Sequence, residues 1–131
     1  MCGILLYFSK KKIRLTEFKE ALDLLNHRGP DYSKIFSYEN NKFIEKKYPY
    51  NDEYNFLIGH KRLSIIDLSN NSNQPFVNNS NQNFFLFNGE FYNYKLFSTE
   101  ESKNSDSLTF FNNLQKNNIS FFEKIIGMWS V

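Results

Sequence analysis

The second residue of the chain is its only cysteine, and this position gives the thiol a particular chemistry. Removal of Met1 is favoured when a small residue follows it, and it would leave Cys2 with a free α-amine that titrates at about 7.7 to 8.0. That amine can take the thiol proton, so one residue supplies both nucleophile and base, as an N-terminal threonine does. The competing interpretation of Cys2 is a small buried side chain near the end of a strand.

Two histidines, His27 and His60, are the only candidates for a Cys–His pair. His27 follows a predicted helix, where a cation suits the helix dipole, and His60 ends a predicted strand. These positions favour a structural role for each imidazole. An N-terminal amine at Cys2 would make neither histidine necessary, but spacing alone leaves the Cys–His alternative open.

Acyl transfer through sulfur creates an oxyanion, which must be met by preorganised hydrogen-bond donors. Asn88 and Gly89 can supply two of them. The Asn88 amide offers N–H groups, and Gly89 lets its backbone N–H approach a ligand because it carries no Cβ. Taken alone, however, an Asn-Gly pair is typical of a turn.

An amino-acid substrate would require a guanidinium for its α-carboxylate and carboxylates for its α-ammonium. Arg62, Glu90 and Asp106 are residues of the right types. Each could equally be a surface charge, and surface ion pairs contribute only about 0 to 1 kcal/mol. Their types are therefore compatible with an amino-acid site without identifying one.

The elements that would position these residues in the first half of the chain are short. We predict a buried strand over residues 3–8 and a helix over residues 16–26, with Phe18, Ala21, Leu22 and Leu25 on its apolar face. Gly29 and Pro30 end that helix. Antiparallel strands are predicted over residues 32–44 and 54–60, another strand over residues 63–68, and mostly loop over residues 69–82.

The second half begins with a predicted strand over residues 83–87 that runs into a turn at Asn88-Gly89. Two apolar helical faces follow over residues 108–114 and 119–126, the second opened by a capping box from Ser120 to Glu123. Residues 128–131 resemble the start of a strand. Strands outnumber helices and do not alternate with them, which predicts an α+β fold of antiparallel sheet with helices packed outside.

Composition limits the classes of protein to which the chain can belong. Its 131 residues suit one domain, and 16 basic and 14 acidic residues leave a net charge of +2 with no strong field for a nucleic acid. One cysteine excludes an intrachain disulfide and favours a reducing compartment. The apolar runs are too short for a signal or a membrane span, so we expect a cytoplasmic protein without membrane or nucleic-acid partners.

Four segments occur in an order that is typical of one family: residues 1–4 (MCGI), 27–31 (HRGPD), 59–67 (GHKRLSIID) and 87–94 (FNGEFYNY). Ser105-Asp106 and residues 127–129 (GMW) follow them. Together, over the whole chain, they resemble the class II glutamine amidotransferase domain of glutamine-hydrolysing asparagine synthetases. The resemblance implies an N-terminal nucleophile hydrolase fold, which is a four-layer α-β-β-α sandwich of antiparallel sheets.

The resemblance also implies a role for each residue that matches the family pattern. Cys2 matches the nucleophile, and Asn88 with Gly89 matches the oxyanion hole. Arg62 matches the residue that holds the glutamine carboxylate, and Glu90 and Asp106 match those near its amino group. The segment that contacts the substrate corresponds to Leu63, Ser64, Ile65 and Ile66.

Proteins of this family continue beyond the GMW segment with further strands and an ATP-using synthetase domain. We therefore expect residues 1–131 to be a partial amidotransferase domain, incomplete at the C-terminus, that binds L-glutamine and holds no metal or cofactor. ATP and magnesium belong to the absent synthetase domain, which would use the ammonia to make asparagine from aspartate. A synthetase domain or subunit, or a second copy, is the expected protein partner. The alternatives are a different ammonia acceptor, or a non-catalytic truncated or split fragment that associates with a partner chain.

Overall fold

Strand β1 (Gly3–Arg14) opens the fold. A computed structural model describes residues 1–131, and in it this strand is 12 residues long, so the prediction of a strand over residues 3–8 was too short. The prediction that the strand is buried was wrong as well. Alternate side chains of a strand face opposite sides, and those of Leu6 and Phe8 are exposed.

Three further strands join β1 in an antiparallel sheet with the order β1-β4-β2-β3. They are β2 (Tyr32–Glu39), β3 (Lys42–Glu45) and β4 (Glu53–Arg62). The predicted strand over residues 32–44 is divided in two, because Asn40 and Asn41 adopt φ values of 49° and 61° and turn the chain into a hairpin. Asparagine tolerates this left-handed backbone better than most residues.

Helix α1 (Leu15–Asp23) covers one face of this sheet. Phe18 and Leu22 are buried as their spacing predicts, whereas Ala21 is exposed. The helix ends earlier than the predicted residue 26, and the chain continues through turns to residue 28. The core between helix and sheet consists of Leu15, Phe18, Leu22, Ile35, Tyr54 and Leu57.

Four short strands pair as two antiparallel ribbons, β5 with β6 and β7 with β8. They are β5 (Phe76–Asn78), β6 (Asn83–Phe85), β7 (Asn88–Phe91) and β8 (Gly127–Ser130). The hairpin turn predicted at Asn88-Gly89 is wrong, because these residues begin β7 and the chain passes from one ribbon to the other. The loop predicted over residues 69–82 also contains β5.

Helix α2 (Asp106–Asn117) covers the ribbons on the side away from the large sheet. The predicted second helix over residues 119–126 is instead a 3-10 helix, Asn118–Lys124. Ser120 does not form a capping box, since its hydroxyl donates to Asn117 O at 2.7 Å. None of the helices is long and apolar enough to cross a membrane.

Three apolar cores separate four layers, in the order α1, large sheet, ribbons and α2. One core joins α1 to the sheet, and a second joins the opposite sheet face to the ribbons through Phe36, Ile58 and Leu86. The third is aromatic, with Phe110 of α2 fully buried among Phe85 and Phe91 of the ribbons and Phe87, which lies between them in the chain. The predicted α+β fold with antiparallel sheets and outer helices is confirmed.

Candidate active site

Cys2 lies directly before β1, at the end of the sheet where β4 finishes. Gly3 pairs with Lys61 of β4, which brings the residues after β4 against the thiol. The backbone N–H of Leu63 lies 3.4 Å from Cys2 Sγ, and Arg28 Nε donates to Cys2 O at 3.0 Å. The nucleophile candidate is therefore held by contacts to its side chain and to its carbonyl.

The segment that follows α1, residues 27–31, supports the same end of β4. Gly29 lies so close to the strand that a Cβ would be 2.3 Å from Lys61 O, which no other residue could accommodate. Asp31 N donates to Arg62 O at 3.0 Å, and Asp31 Oδ2 accepts from Ser64 N at 2.7 Å. This segment thus fixes the backbone on both sides of Leu63.

Arg62 is buried at the end of β4, and most of its guanidinium binds the chain itself. Nη1 donates to Ser69 O at 2.7 Å and to Asn73 Oδ1 at 2.6 Å, and Nη2 donates to Asp67 O. Three of its five N–H groups are thereby used, which leaves Nε–H and one N–H of Nη2 for a ligand. Arg62 is both an anchor for the following loop and a source of free donors.

Residues 63–68 form a loop, so the strand predicted there is wrong. Their backbone belongs to no ladder, and the side chains of Ile65 and Ile66 are 64% and 45% exposed. The hydrogen bonds that Arg62 donates to Asp67 O, within this segment, and to Ser69 O, directly after it, hold it away from the sheet. The apolar side chains consequently face the space beside Cys2.

Asp67 organises the rest of this loop. Its carboxylate accepts from Ser69 N at 2.8 Å, from Ser69 Oγ at 3.0 Å and from Ser72 Oγ at 2.5 Å. Burial raises the pKa of Asp67, but these hydrogen bonds outweigh it and the net pKa is lowered. Ser72 Oγ also lies 2.5 Å from Ser105 Oγ, which connects the loop to the start of α2.

Asp106 is the first residue of α2, after the N-cap residue Ser105. Its carboxylate accepts from Phe91 N at 3.2 Å and from Ser107 N at 2.7 Å, and it is buried. Burial is the main cause of its raised pKa, with a smaller contribution from the charge of Glu90. A cation bound beside Asp106 would therefore stabilise its charged form.

Asn88, Gly89 and Glu90 lie on β7 rather than on a turn. Gly89 has a φ of +155°, and a Cβ there would be 2.2 Å from Met128 O of the neighbouring strand. The glycine is thus required by the approach of β8, in addition to any approach of a ligand. Asn88 Oδ1 is buried without a hydrogen-bond partner.

Most of the residues described above surround one pocket with an empty volume of about 700 Å³, part of which is open to solvent. Of the predicted site residues, Ser64 and Asn88 do not line it and the others do. The residues that line it are Met1, Cys2, Arg62, Leu63, Ile65, Ile66, Asp67, Ser72, Gln74, Phe87, Gly89, Glu90, Ser105, Asp106, Ser107 and Met128. Apolar side chains and three charged side chains of the predicted set therefore line a single space together with Cys2.

Neither histidine belongs to this pocket. His27 is exposed, with Nδ1 2.9 Å from Leu24 O. His60 is fully buried with Nε2 3.4 Å from Phe87 O, and burial lowers its pKa to about 4. No hydrogen bond joins either imidazole to Cys2, so the Cys–His pair that spacing left open is not formed.

Sequence reasoning assigned no individual role to Arg28, Asp67 or Gln74. Asp67 carried a usable signal, because an aspartate two residues before a serine often accepts from that serine's backbone N–H. Arg28 and Gln74 gave none, since their partners are 26 and 13 residues away in the chain. Only the folded chain brings them to the site.

Comparison with known proteins points to one family. A family model for the glutamine amidotransferase domain matches residues 1–131. A protein of Acanthamoeba polyphaga mimivirus named probable asparagine synthetase (glutamine-hydrolyzing) is 39% identical over 97 residues, which cover 72% of this chain and 16% of that protein. Asparagine synthetase B of Escherichia coli K12 is 32% identical over 76% of this chain and 16% of its own length.

A third relative, an amidase of Gibberella zeae, is 34% identical over 64% of this chain and 11% of its own length. This chain thus spans less than a fifth of each of these three relatives. With the family model matched from the first residue to the last, the chain belongs to the glutamine amidotransferase domain family.

Proposed function

We propose that this domain hydrolyses L-glutamine to glutamate and ammonia, with Cys2 as the nucleophile. The observation that carries the proposal is the pocket that brings together one thiol, a buried guanidinium and two carboxylates. A free amino acid has one α-carboxylate and one α-ammonium, and these charges match that set. Its side-chain carboxamide would then lie towards Cys2.

The charged ends of glutamine have matching partners in the pocket. Arg62 retains two N–H groups, which suit a carboxylate because a guanidinium and a carboxylate pair in a planar, bidentate way. Glu90 and Asp106 line the same pocket and suit the ammonium. Binding of the ammonium would also favour the charged form of Asp106, and so counteract the effect of burial, which raises its pKa. Leu63, Ser64, Ile65 and Ile66 form the segment that contacts the substrate.

The reaction begins when the α-amine of Cys2, freed by removal of Met1, takes the Sγ proton. Met1 lines the same pocket, so its loss also clears space for the substrate. Sγ attacks the carboxamide carbon and forms a tetrahedral oxyanion. When that collapses, the C–N bond breaks, the α-ammonium gives its proton to the leaving nitrogen, and ammonia departs. Water then cleaves the thioester to glutamate and restores the thiol.

Asn88 and Gly89 would supply the donors for the oxyanion in both halves of the reaction. Loss of a single oxyanion donor typically raises a barrier by about 2.7 to 4 kcal/mol, so the placement of these donors decides the rate. The N–H of Gly89 belongs to a residue of the pocket wall. The side-chain amide of Asn88 is the second proposed donor, on the strength of the family pattern, since Asn88 precedes Gly89 on β7 but does not itself line the pocket.

Glutamate release by the purified chain tests this proposal. Intact mass spectrometry should first show that Met1 has been removed. We expect the wild-type chain to release glutamate and ammonia in equal amounts, and Cys2→Ala to release neither. Ser80→Ala, in an exposed loop, is the control that should keep wild-type activity. Glutamate release by Cys2→Ala would reject Cys2 as nucleophile.

The acceptor of the ammonia is a further part of the proposal. The names of two relatives support asparagine as the product. We propose that a synthetase domain of the complete protein, or a subunit, makes it from aspartate with ATP and magnesium, as the family resemblance implies. The amidase relative supports a different acceptor as the alternative. Asparagine formed from glutamine, aspartate and ATP by the complete protein would establish aspartate as the acceptor and reject a different acceptor. One cysteine suits the reducing cytoplasm, where we place this activity.

A second candidate function is non-catalytic association with a chain that completes the sheet. The outer edge of β1 pairs with no strand, and Phe8 on this strand is 78% exposed. Open strand edges of this kind accept further strands. A folded chain that releases no glutamate, but forms a stable complex with a partner chain or a dimer on size-exclusion chromatography, would favour this function.

A further inference from the structure

Phe87 lies between β6 and β7 and directly before the oxyanion donors, yet its backbone belongs to no strand ladder. Its two polar groups pair instead with one side chain. Phe87 N donates to Gln74 Oε1 at 2.6 Å, and Phe87 O accepts from Gln74 Nε2 at 3.3 Å. The primary amide of Gln74 thus takes the place of a neighbouring strand.

This pairing is enclosed by protein. Gln74 and Phe87 are only 3% and 2% exposed, so little solvent reaches either hydrogen bond although both residues line the pocket. A second side chain also contacts Phe87 O, because Nε2 of the buried His60 ring lies 3.4 Å from it. A buried backbone group without a partner is costly, so the orientation of Phe87 depends on these side chains.

The orientation of Phe87 O determines the direction of the next N–H. The peptide bond is planar, so the carbonyl of Phe87 and the N–H of Asn88 point in opposite directions in one rigid unit. The Gly89 N–H follows one peptide later. A rotation at Phe87 would therefore turn the Asn88-Gly89 backbone relative to the thiol.

We propose that Gln74 is a positioning residue for the oxyanion donors, acting through Phe87. This inference rests on the proposed glutaminase activity. Gln74 touches neither reacting atom in the scheme, and it binds the backbone that carries the donors. Since the oxyanion exists only during reaction, misplaced donors lower kcat while leaving the binding of glutamine nearly intact.

Gln74→Met tests the inference, because methionine has a similar shape and neither polar group. We expect kcat to fall about 10- to 100-fold, which is less than complete loss of one donor, and KM for glutamine to stay within about threefold of the wild-type value. Gln82→Met is the matched control, since Gln82 is exposed on a loop and should keep both constants. A KM rise with unchanged kcat would overturn the inference.

Gln74→Glu provides a variant with a signature that a merely structural role would not give. A buried carboxyl has a raised pKa, and in its protonated form it offers one O–H donor and one C=O acceptor, as the amide does. The ratio of its kcat to the wild-type kcat should therefore rise as the pH is lowered. A ratio that does not change with pH would contradict the proposal.

Amide hydrogen exchange separates this inference from the glutaminase proposal. In Gln74→Met, exchange at Phe87 N–H should accelerate at least about tenfold while the β1–β4 ladder stays protected. Equal protection of Phe87 in both proteins would reject the positioning role, whatever the activity. A wild-type chain with protected Phe87 and no glutamate release would instead reject the proposed function and retain the contact.

Discussion

His60 is buried without a charged partner, and this burial makes the stability of the domain depend on pH. Its pKa is lowered to about 4, chiefly because burial disfavours the charged imidazolium. In the unfolded chain a histidine has a pKa of about 6.5. Between these values the unfolded chain takes up a proton that the folded chain does not, so stability is lost as the pH falls from 6.5 towards 4.

The size of this effect follows from the two pKa values. Between pH 7 and pH 5, His60 should lower the free energy of unfolding by about 2 kcal/mol. That is a large share of the roughly 5 to 15 kcal/mol that stabilises a typical domain. Replacement by glutamine, which does not titrate, should remove this contribution and leave the other titrating groups in place.

Urea unfolding at pH 5, 6 and 7 measures the effect. The loss of unfolding free energy between pH 7 and pH 5 should be about 2 kcal/mol smaller in His60→Gln than in wild type. His27→Gln is the matched control, because it makes the same replacement at an exposed position outside the core. Equal pH dependence of His60→Gln and wild type would refute the reasoning.

Three further substitutions test the site. Arg62→Lys should raise KM for glutamine about 10- to 100-fold in steady-state assays, because one ammonium cannot replace the anchoring and free N–H groups; an unchanged KM would contradict this. Gly89→Ala should lower the free energy of unfolding in urea by at least about 1 to 3 kcal/mol, since its Cβ would meet Met128 O; an unchanged midpoint would count against the β7–β8 geometry. Arg28→Met removes the donor to Cys2 O and should lower kcat about tenfold; wild-type kcat would show that this contact does not position the thiol.

The parts of the fold that the sequence predicts well are those with a long periodic signal. Phe18 and Leu22 are buried on α1 as their helical spacing requires, and α2 lies where its apolar residues indicate. The end of α1 is less well predicted, because turns continue its path beyond Asp23. The division of residues 32–44 into two strands depends on the backbone of two asparagines, which periodicity does not register.

The errors near the site have a common cause in tertiary contacts. Residues 63–68 have the apolar content of a strand, but hydrogen bonds from Arg62 to later backbone carbonyls hold them as a loop. Asn88-Gly89 has the composition of a hairpin turn, but β8 supplies a partner strand from 40 residues away. The side chains that could do chemistry were identifiable by type, and their assigned roles stay predictions.

Trapping the covalent intermediate tests the central proposal most directly. The chain, with Met1 removed, would be mixed with glutamine, quenched in acid and digested for mass spectrometry. We expect the peptide that begins at Cys2 to gain the mass of one glutamyl group on sulfur, and the same peptide of Cys2→Ala to gain nothing. Glutamate release without any adduct at Cys2, or an adduct on another residue, would contradict the proposal.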